Sequence, residues 1–179
     1  MVEMKVESIR VSLMTQHRVV ILKELTAERY LPIWIGPFEA DAIALELQEV
    51  HVARPLTHDL LRSVITELGA TVTHVLINEL RDDTYFARIV LDIRGRHAEV
   101  DCRPSDAIAL AVRVKTRIFV EDGVLERAAM TLDESSGAPN EEGELRTTGS
   151  TVDDERLSVF RDFINSLDMD DLDRPPERS

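Results

Sequence analysis

The chain has one cysteine, Cys102, in 179 residues. It therefore closes no disulfide within itself and supplies no cysteine cluster for zinc, which excludes stapled secreted scaffolds and zinc-finger architectures. Lysine is nearly as scarce: Lys5, Lys23 and Lys115 are the only three, and 34 acidic against 21 basic side chains give a formal net charge of −13. No basic field covers the whole molecule to draw in nucleic acid, although a local cationic site is compatible with that total. No apolar run approaches the ~20 residues of a membrane span, and the start Met1-Val2-Glu3-Met4-Lys5-Val6 lacks the layout of a signal peptide. The expectation is a soluble cytoplasmic protein with no membrane partner. A Gly-rich phosphate loop, a His-Glu-x-x-His and a Gly-x-Ser-x-Gly are also missing, which sets aside the enzyme classes built on them. What is present is 44% apolar residues for a core and 31% charged residues to cover it, enough for one domain of ordinary size.

The acidity is uneven. Up to Met130 there are 20 acidic and 16 basic residues, a net of −4, and beyond it 14 and 5, a net of −9. Residues 1–130 read as the folded domain. Residues 131–150 are rich in Gly, Ser, Thr and acid and read as a flexible acidic linker. Over 151–168 Leu157, Phe160, Ile164 and Leu167 fall on one helical stripe, an amphipathic helix, and 169–179 reads as a disordered tail.

Within the domain Val2, Met4 and Val6 alternate, then Ile9, Val11 and Leu13 alternate in the opposite phase, so a strand with a bulge near Glu7-Ser8 is expected. Residues 19–22 and 30–35 are further strands, with Pro32 assigning the second to an edge or a strand end. Pro37 opens a helix over 38–50, and Thr57 as N-cap opens another to about 68, stopped by Gly69. Residues 71–80 and 85–93 form a hairpin around Arg81-Asp82-Asp83-Thr84, and a turn at Arg94-Gly95 pairs Ile89 with Val100 and Arg88 with Asp101. Pro104 and Asp106 start a third long helix, followed by a short strand at 118–120 and a last helical turn or two at 124–130. The fold class is α+β, a mostly antiparallel or mixed sheet packed with Ala-rich helices.

Asp41-Ala42-Ile43-Ala44-Leu45 recurs as Asp106-Ala107-Ile108-Ala109-Leu110, 65 positions on. Two related units of strand, strand, strand, helix account for the echo, and so does the resemblance of any two alanine-rich helix starts.

The residues able to do chemistry are acids at helix starts and strand ends, Glu39, Asp41, Asp59, Asp101 and Asp106, with His58, His97 and Arg103 near them in sequence. Hydrolysis of a phosphodiester with a divalent metal needs carboxylates converging on Mg²⁺ or Mn²⁺, a base or metal-bound hydroxide, and a cation for the phosphate. Glu39, Asp101 and Asp106 are the candidate metal ligands. The candidate catalytic set is His58, Asp59, Arg103 and Asp106, and Arg88, Arg94 and Arg96 with Arg103 are candidates for a local phosphate groove. The plainer reading has each acid stabilising a helix N-terminus, Arg103 pairing with Asp106 or Asp101, Cys102 in the core and His58 on the surface.

Four blocks together carry a family resemblance: Leu31-Pro32-Ile33-Trp34-Ile35-Gly36 with Glu39-Ala40; Arg54-Pro55-Leu56-Thr57-His58-Asp59-Leu60; Tyr85-Phe86-Ala87; and Arg103-Pro104-Ser105-Asp106-Ala107-Ile108-Ala109-Leu110-Ala111. In this order, over roughly residues 4–130, the chain resembles the bifunctional nuclease domain family. The resemblance implies an α+β domain and hydrolysis of both DNA and RNA. It singles out Glu39, His58, Asp59, Arg103, Ser105 and Asp106 as the matching polar positions, Ser105 as a substrate contact. The helical module shared with DNA-repair excision proteins that some relatives append is not recognised after Thr131.

Two functions follow as expectations. One is a metal-dependent nuclease of low sequence specificity with RNA or DNA as its substrate. The other is a non-catalytic oligomeric module, a homodimer by base rate, that binds a small ligand or a protein.

Overall fold

The computed structural model describes residues 1–11 and 17–131. The amphipathic helix, the tail and all but the first residue of the linker lie outside the described residues. Thr131, assigned to that linker, instead ends a short strand.

Strands β1 (Val2–Val11), β2 (Arg18–Glu24) and β3 (Arg29–Ile35) form one antiparallel meander, followed by helices α1 (Pro37–Leu47) and α2 (Thr57–Glu67). Strands β4 (Ala70–Arg81), β5 (Thr84–Ile93) and β6 (Arg96–Cys102) form the second meander, followed by α3 (Pro104–Val114). Strand β7 (Arg117–Val120), helix α4 (Asp122–Ala128) and strand β8 (Met130–Thr131) complete the described chain. The eight strands make one sheet in the order β6-β5-β4-β7-β1-β2-β3-β8. Only β4 and β7 pair in parallel, so the fold is α+β with a mixed, mostly antiparallel sheet.

Local chemistry explains the strands and turns. The phase change in β1 is a bulge, with the register slipping between Val6 and Ser8 so that Val6 and Ile9 both pack against the core. Asp82 and Asp83 carry φ of 48° and 56°, and Arg94 and Gly95 carry 54° and 83°, the paired left-handed conformations of tight hairpin turns. The β5–β6 register has Arg88 opposite Asp101 and Ile89 opposite Val100. Pro32 pairs with Ile21 and lies beyond the two residues of β3 that β8 covers, on an otherwise open edge.

The two meanders are equivalent by topology. β7 runs antiparallel to β1 and parallel to β4, so β1 and β4 run in opposite directions and a half-turn in the plane of the sheet relates the two sets of strands. The strands β3 and β6 begin at Arg29 and Arg96, and the helices after them at Pro37 and Pro104, both 67 positions apart. The letter echo at 65 is thus two residues out of structural register, and Glu39, not Asp41, is the counterpart of Asp106.

Helix α3 lies at the centre. Ala107, Ile108, Ala109, Leu110 and Ala111 are all buried, and α1 and α2 both pack on α3. The small side chains permit this close approach. The sheet curls around it: Tyr85 Oη on β5 donates to the Pro32 carbonyl on β3 at 3.4 Å, although β4, β7, β1 and β2 separate those strands in the sheet. That curl brings the end of β3 and the β4–β5 turn to the start of α3. Among the described residues no helix is long and apolar enough to cross a membrane.

Candidate active site

Helices α1 and α3 begin alike, with a proline at the first position and an acid at the third, Glu39 and Asp106. Proline suits the first position because its missing N–H would have no partner there. Arg103, the residue before Pro104, joins the two acids. Its Nε donates to Asp106 Oδ2 at 2.7 Å, and its Nη2 donates to Asp106 Oδ1 at 3.0 Å and to Glu39 Oε1 at 2.7 Å. The Arg103 side chain nevertheless remains 66% exposed. Both acids raise the pKa of its guanidinium further, Asp106 the more strongly.

Behind this cluster lies His58, at the second position of α2, with Nε2 3.3 Å from Asp106 Oδ1. His58 is buried, against the expectation of a surface histidine, because α2 packs on α3 and turns its first residues inward. Burial pushes the Asp106 carboxyl up, but the bonds from Arg103 and His58 outweigh it and hold the group below its ordinary value. Ser105 is buried and lines a cleft of about 660 Å³ with Arg103, Pro104, Gly36, Trp34 and Tyr85. The carboxylate of Glu39 folds over Gly36: a Cβ at that glycine would lie 2.3 Å from Glu39 Oε2.

Asp59 is elsewhere. Its Oδ1 accepts from Arg113 Nε at 2.8 Å and its Oδ2 from the Leu56 N–H at 2.8 Å. Leu56 is therefore the residue that precedes α2, and Thr57, expected as the N-cap, is its first helical residue, with Asp59 reaching back to satisfy the open N–H. The Arg113 side chain, 1% exposed, also donates to the carbonyls of Ala109 at 2.8 Å and Ala42 at 3.0 Å, so it ties α1, α2 and α3 together. Burial pushes the Asp59 carboxyl up, and the Leu56 and Arg113 bonds overcome this and hold it low. Asp41 pairs with Arg18 at 3.5 Å.

Asp101 does not join Glu39 and Asp106. Ala87 and Cys102 are paired and pack with the core, so their neighbours Arg88 and Asp101 point from the opposite face of the sheet, as does His97. Arg88 is bonded there to Glu99 at 2.5 Å. Arg94 and Arg96 sit at the turn that opens β6, roughly 20 Å along the strand from Arg103 at 3.3 Å per residue. The four arginines form no single groove. Nor do the three proposed metal ligands converge: Arg103 holds three oxygens of Glu39 and Asp106, which would take up a dication only by giving up that arginine. Among the described residues no set of three or more His, Cys, Asp or Glu side chains is arranged to hold a metal ion. This donor set does not fit a resident Mg²⁺ or Mn²⁺. Burial, with the fields of Asp106 and Asp101, pushes the Cys102 thiol up to about 11, which leaves it protonated at neutral pH and a poor nucleophile.

Trp34 and Tyr85 line the cleft and Arg113 ties together the helices beside it; the family blocks contain Trp34 and Tyr85 without assigning either a role, and Arg113 lies in none of them. Trp34 is the one tryptophan of the chain, a signal in composition alone, whereas Tyr85 and Arg113 owe their roles to contacts across more than 50 residues.

The site is an exposed arginine clamped by carboxylates at the mouth of a partly apolar cleft, on an α+β scaffold of two equivalent meanders. The family model of the bifunctional nuclease domain matches residues 20–133, and the chain belongs to that family. An uncharacterized protein of Mycobacterium tuberculosis is 41% identical over 170 residues, covering 95% of this chain and 97% of its own length. Bifunctional nuclease 2 of Oryza sativa subsp. japonica is 29% identical over 163 residues, with 89% of this chain and 44% of the plant protein covered. Bifunctional nuclease 1 of Arabidopsis thaliana is 26% identical over 175 residues, covering 90% and 54%. The chain thus spans about half the length of these plant relatives.

Proposed function

We propose that the chain is a nuclease that hydrolyses the phosphodiester bonds of RNA and DNA, with the backbone phosphate bound at Arg103. The observation that carries this reading is the Arg103 guanidinium, two-thirds exposed at the cleft yet aimed by Glu39 and Asp106. Its Nη1 takes no part in those bonds and is the donor for a non-bridging phosphate oxygen, where negative charge builds as water adds. Water oxygen attacks phosphorus and its proton passes to Glu39 Oε2, the oxygen that Arg103 leaves unused. The P–O bond to the departing sugar breaks, and that oxygen takes a proton from solvent. Asp106 orients Arg103, and His58 orients Asp106 from behind; His58 is a positioning residue in this scheme. A contact made to phosphate carries no sequence information, which accounts for low sequence specificity and for acceptance of both RNA and DNA.

The test is hydrolysis of labelled RNA and DNA by the purified full chain with Mg²⁺, with Mn²⁺ and with a chelator, beside Asp106→Asn and Glu39→Gln. The reading expects both variants to lose at least ~100-fold in rate, the scale of a lost charge-stabilising donor. Activity that copurifies unchanged with both variants overturns it.

A specific observation favours the second reading, a non-catalytic homodimeric module. Leu60, Val64 and Leu68 form an exposed apolar stripe along α2, and Leu47, Val50 and Val52 are exposed just before it. A second copy of the chain is the occupant proposed for this surface, as a two-fold contact between α2 helices. Sedimentation of wild type against Leu60→Asp and Val64→Asp tests it: a dimer that dissociates in the variants, in a chain inert on every nucleic acid, supports the module over the enzyme.

A further inference from the structure

We propose that the cleft on the far side of the β4–β5 hairpin is a second nucleotide subsite, in which Arg127 receives a neighbouring phosphate of the strand and Asn78 the edge of its base. This rests on the nuclease reading above and deepens it to a substrate class, an unpaired strand longer than a dinucleotide. Strand β7 ends at Val120 opposite Ile77, whereas β4 continues to Arg81. The space beyond the end of β7 is a cleft of about 460 Å³, the size of a small-ligand pocket. The two clefts share the hairpin. Leu80 and Arg81 line this one, their ladder partners Tyr85 and Thr84 line the one that holds Arg103, and such partners stand ~5 Å apart. A strand that leaves Arg103 over the hairpin therefore descends into the second cleft. Burial pushes the Tyr85 phenol up to about 12 against the pull of the Arg127 charge, which is thus felt in the wall of the first cleft.

Asn78 carries the inference. The β4 register slips between Ile77 and Glu79, so Asn78 is the extra residue of a bulge, a device that re-aims a side chain. Its Oδ1 is buried and, among the described residues, accepts no hydrogen bond, which costs stability that a ligand N–H would restore. An amide both accepts and donates, as every base edge does, so the subsite keeps the low sequence specificity proposed above. A base that offers its edge to Asn78 has given up its pairing partner, which makes the strand unpaired. Of the two lining arginines, Arg81 lies 4.8 Å over the Phe86 ring and 3.5 Å from Glu79. Arg127 donates from Nη1 to the Leu80 carbonyl and, among the described residues, has no carboxylate partner, which leaves Nε and Nη2 for a phosphate. The lining acids Asp82 and Glu121 repel phosphate elsewhere in the cleft and confine it to Arg127.

Binding of the full chain to a labelled dinucleotide, a short single-stranded RNA and a duplex is measured by stopped-flow anisotropy, which reads association before hydrolysis, over a range of salt. The single strand is expected to bind at least ~10-fold tighter than the dinucleotide, the worth of one charge-assisted contact, and tighter than the duplex. Arg127→Gln should remove that gain and make the dependence of log Kd on log salt shallower by about 0.7, the share of one phosphate on a single strand. Asn78→Ala should weaken single-strand binding about 5-fold with the salt slope unchanged, since no charge is lost. It should melt no lower than wild type, because it deletes a buried oxygen that has no partner. Arg96→Gln, the same charge deleted at the far turn, should alter neither affinity nor slope. Wild-type affinity in Arg127→Gln or in Asn78→Ala, an equal loss in Arg96→Gln, or equal binding of duplex overturns the subsite. If the chain still cleaves RNA in that event, the nuclease reading stands without it. If no strand is bound and none is cut, both fail.

Discussion

Gly36→Ala separates the function of the site from the stability of the fold. Gly36 has φ −67° and ψ 155°, a conformation open to any residue, so alanine meets no backbone strain. Two small terms of opposite sign act on stability. Alanine is a poorer N-cap than glycine, and the unfolded chain loses conformational freedom, which returns about 0.4 to 1 kcal/mol. The net change is within about 1 kcal/mol. The effect on the site is of another order. The new Cβ would lie 2.3 Å from Glu39 Oε2, and ordinary contact begins at 3.4 Å, so that carboxylate oxygen must retreat by 1.1 Å (3.4 − 2.3). It is the far end of a flexible side chain and moves cheaply, but the oxygen that moves is the one assigned to take the proton of water. A misplacement of about 1 Å costs on the order of 100-fold in rate. The assay pairs urea denaturation with hydrolysis of labelled RNA. An unchanged midpoint with a rate reduced about 100-fold is expected. A variant that cleaves like wild type refutes the assignment of Glu39, and one that unfolds refutes the account of the backbone.

Removing Asp59 strands the buried Arg113, and Asp59→Ala should cost about 3 to 5 kcal/mol in urea denaturation, with Asp59→Asn costing less because it still accepts from the Leu56 N–H. Ala109→Leu adds side-chain volume at a fully buried position of α3 and should cost about 1 to 3 kcal/mol; a neutral melting temperature would contradict the packing described for that helix. Asp59 and Asp106 both have folded pKa values below their unfolded value of about 3.9. Their contribution to stability is complete above that value and lost as pH falls through the folded one, so melting temperature should hold down to about pH 5 and drop below about pH 4. In Asp59→Asn the acid drop should be shallower, and an identical drop would exclude Asp59 from it.

Much of the scaffold was legible because it is written in short-range patterns. Alternation gave the strands, a change of phase gave the bulge in β1, and Asp82-Asp83 and Arg94-Gly95 gave the hairpin turns. Pro37 and Pro104 marked two helix starts to the residue. Thr57 misled because the first turn of α2 is closed from its third position by Asp59, where a threonine before an apolar run looks the same in sequence as a true cap. The insertion of β7 between β4 and β1 left no local trace, since it depends on pairings across the whole chain. The site divides along the same line. Arg103 with Asp106 is a neighbour pair visible at three residues' spacing, whereas Glu39 joins them across 64 residues only because two equivalent helices start side by side. Arg88, Arg94 and Arg96 looked like partners of Arg103 because they are close in sequence, but strand alternation turns Arg88 to the other face and the length of β6 carries Arg94 and Arg96 away.

The most direct test of the central claim, that Arg103 receives the phosphate, is the hydrolysis rate of the Arg103→Gln chain on labelled single-stranded RNA relative to wild type. The account predicts a fall of about 100-fold or more with the melting temperature kept within a few degrees, since the arginine is two-thirds exposed and Asp106 keeps its contact with His58. Hydrolysis at the wild-type rate would contradict it.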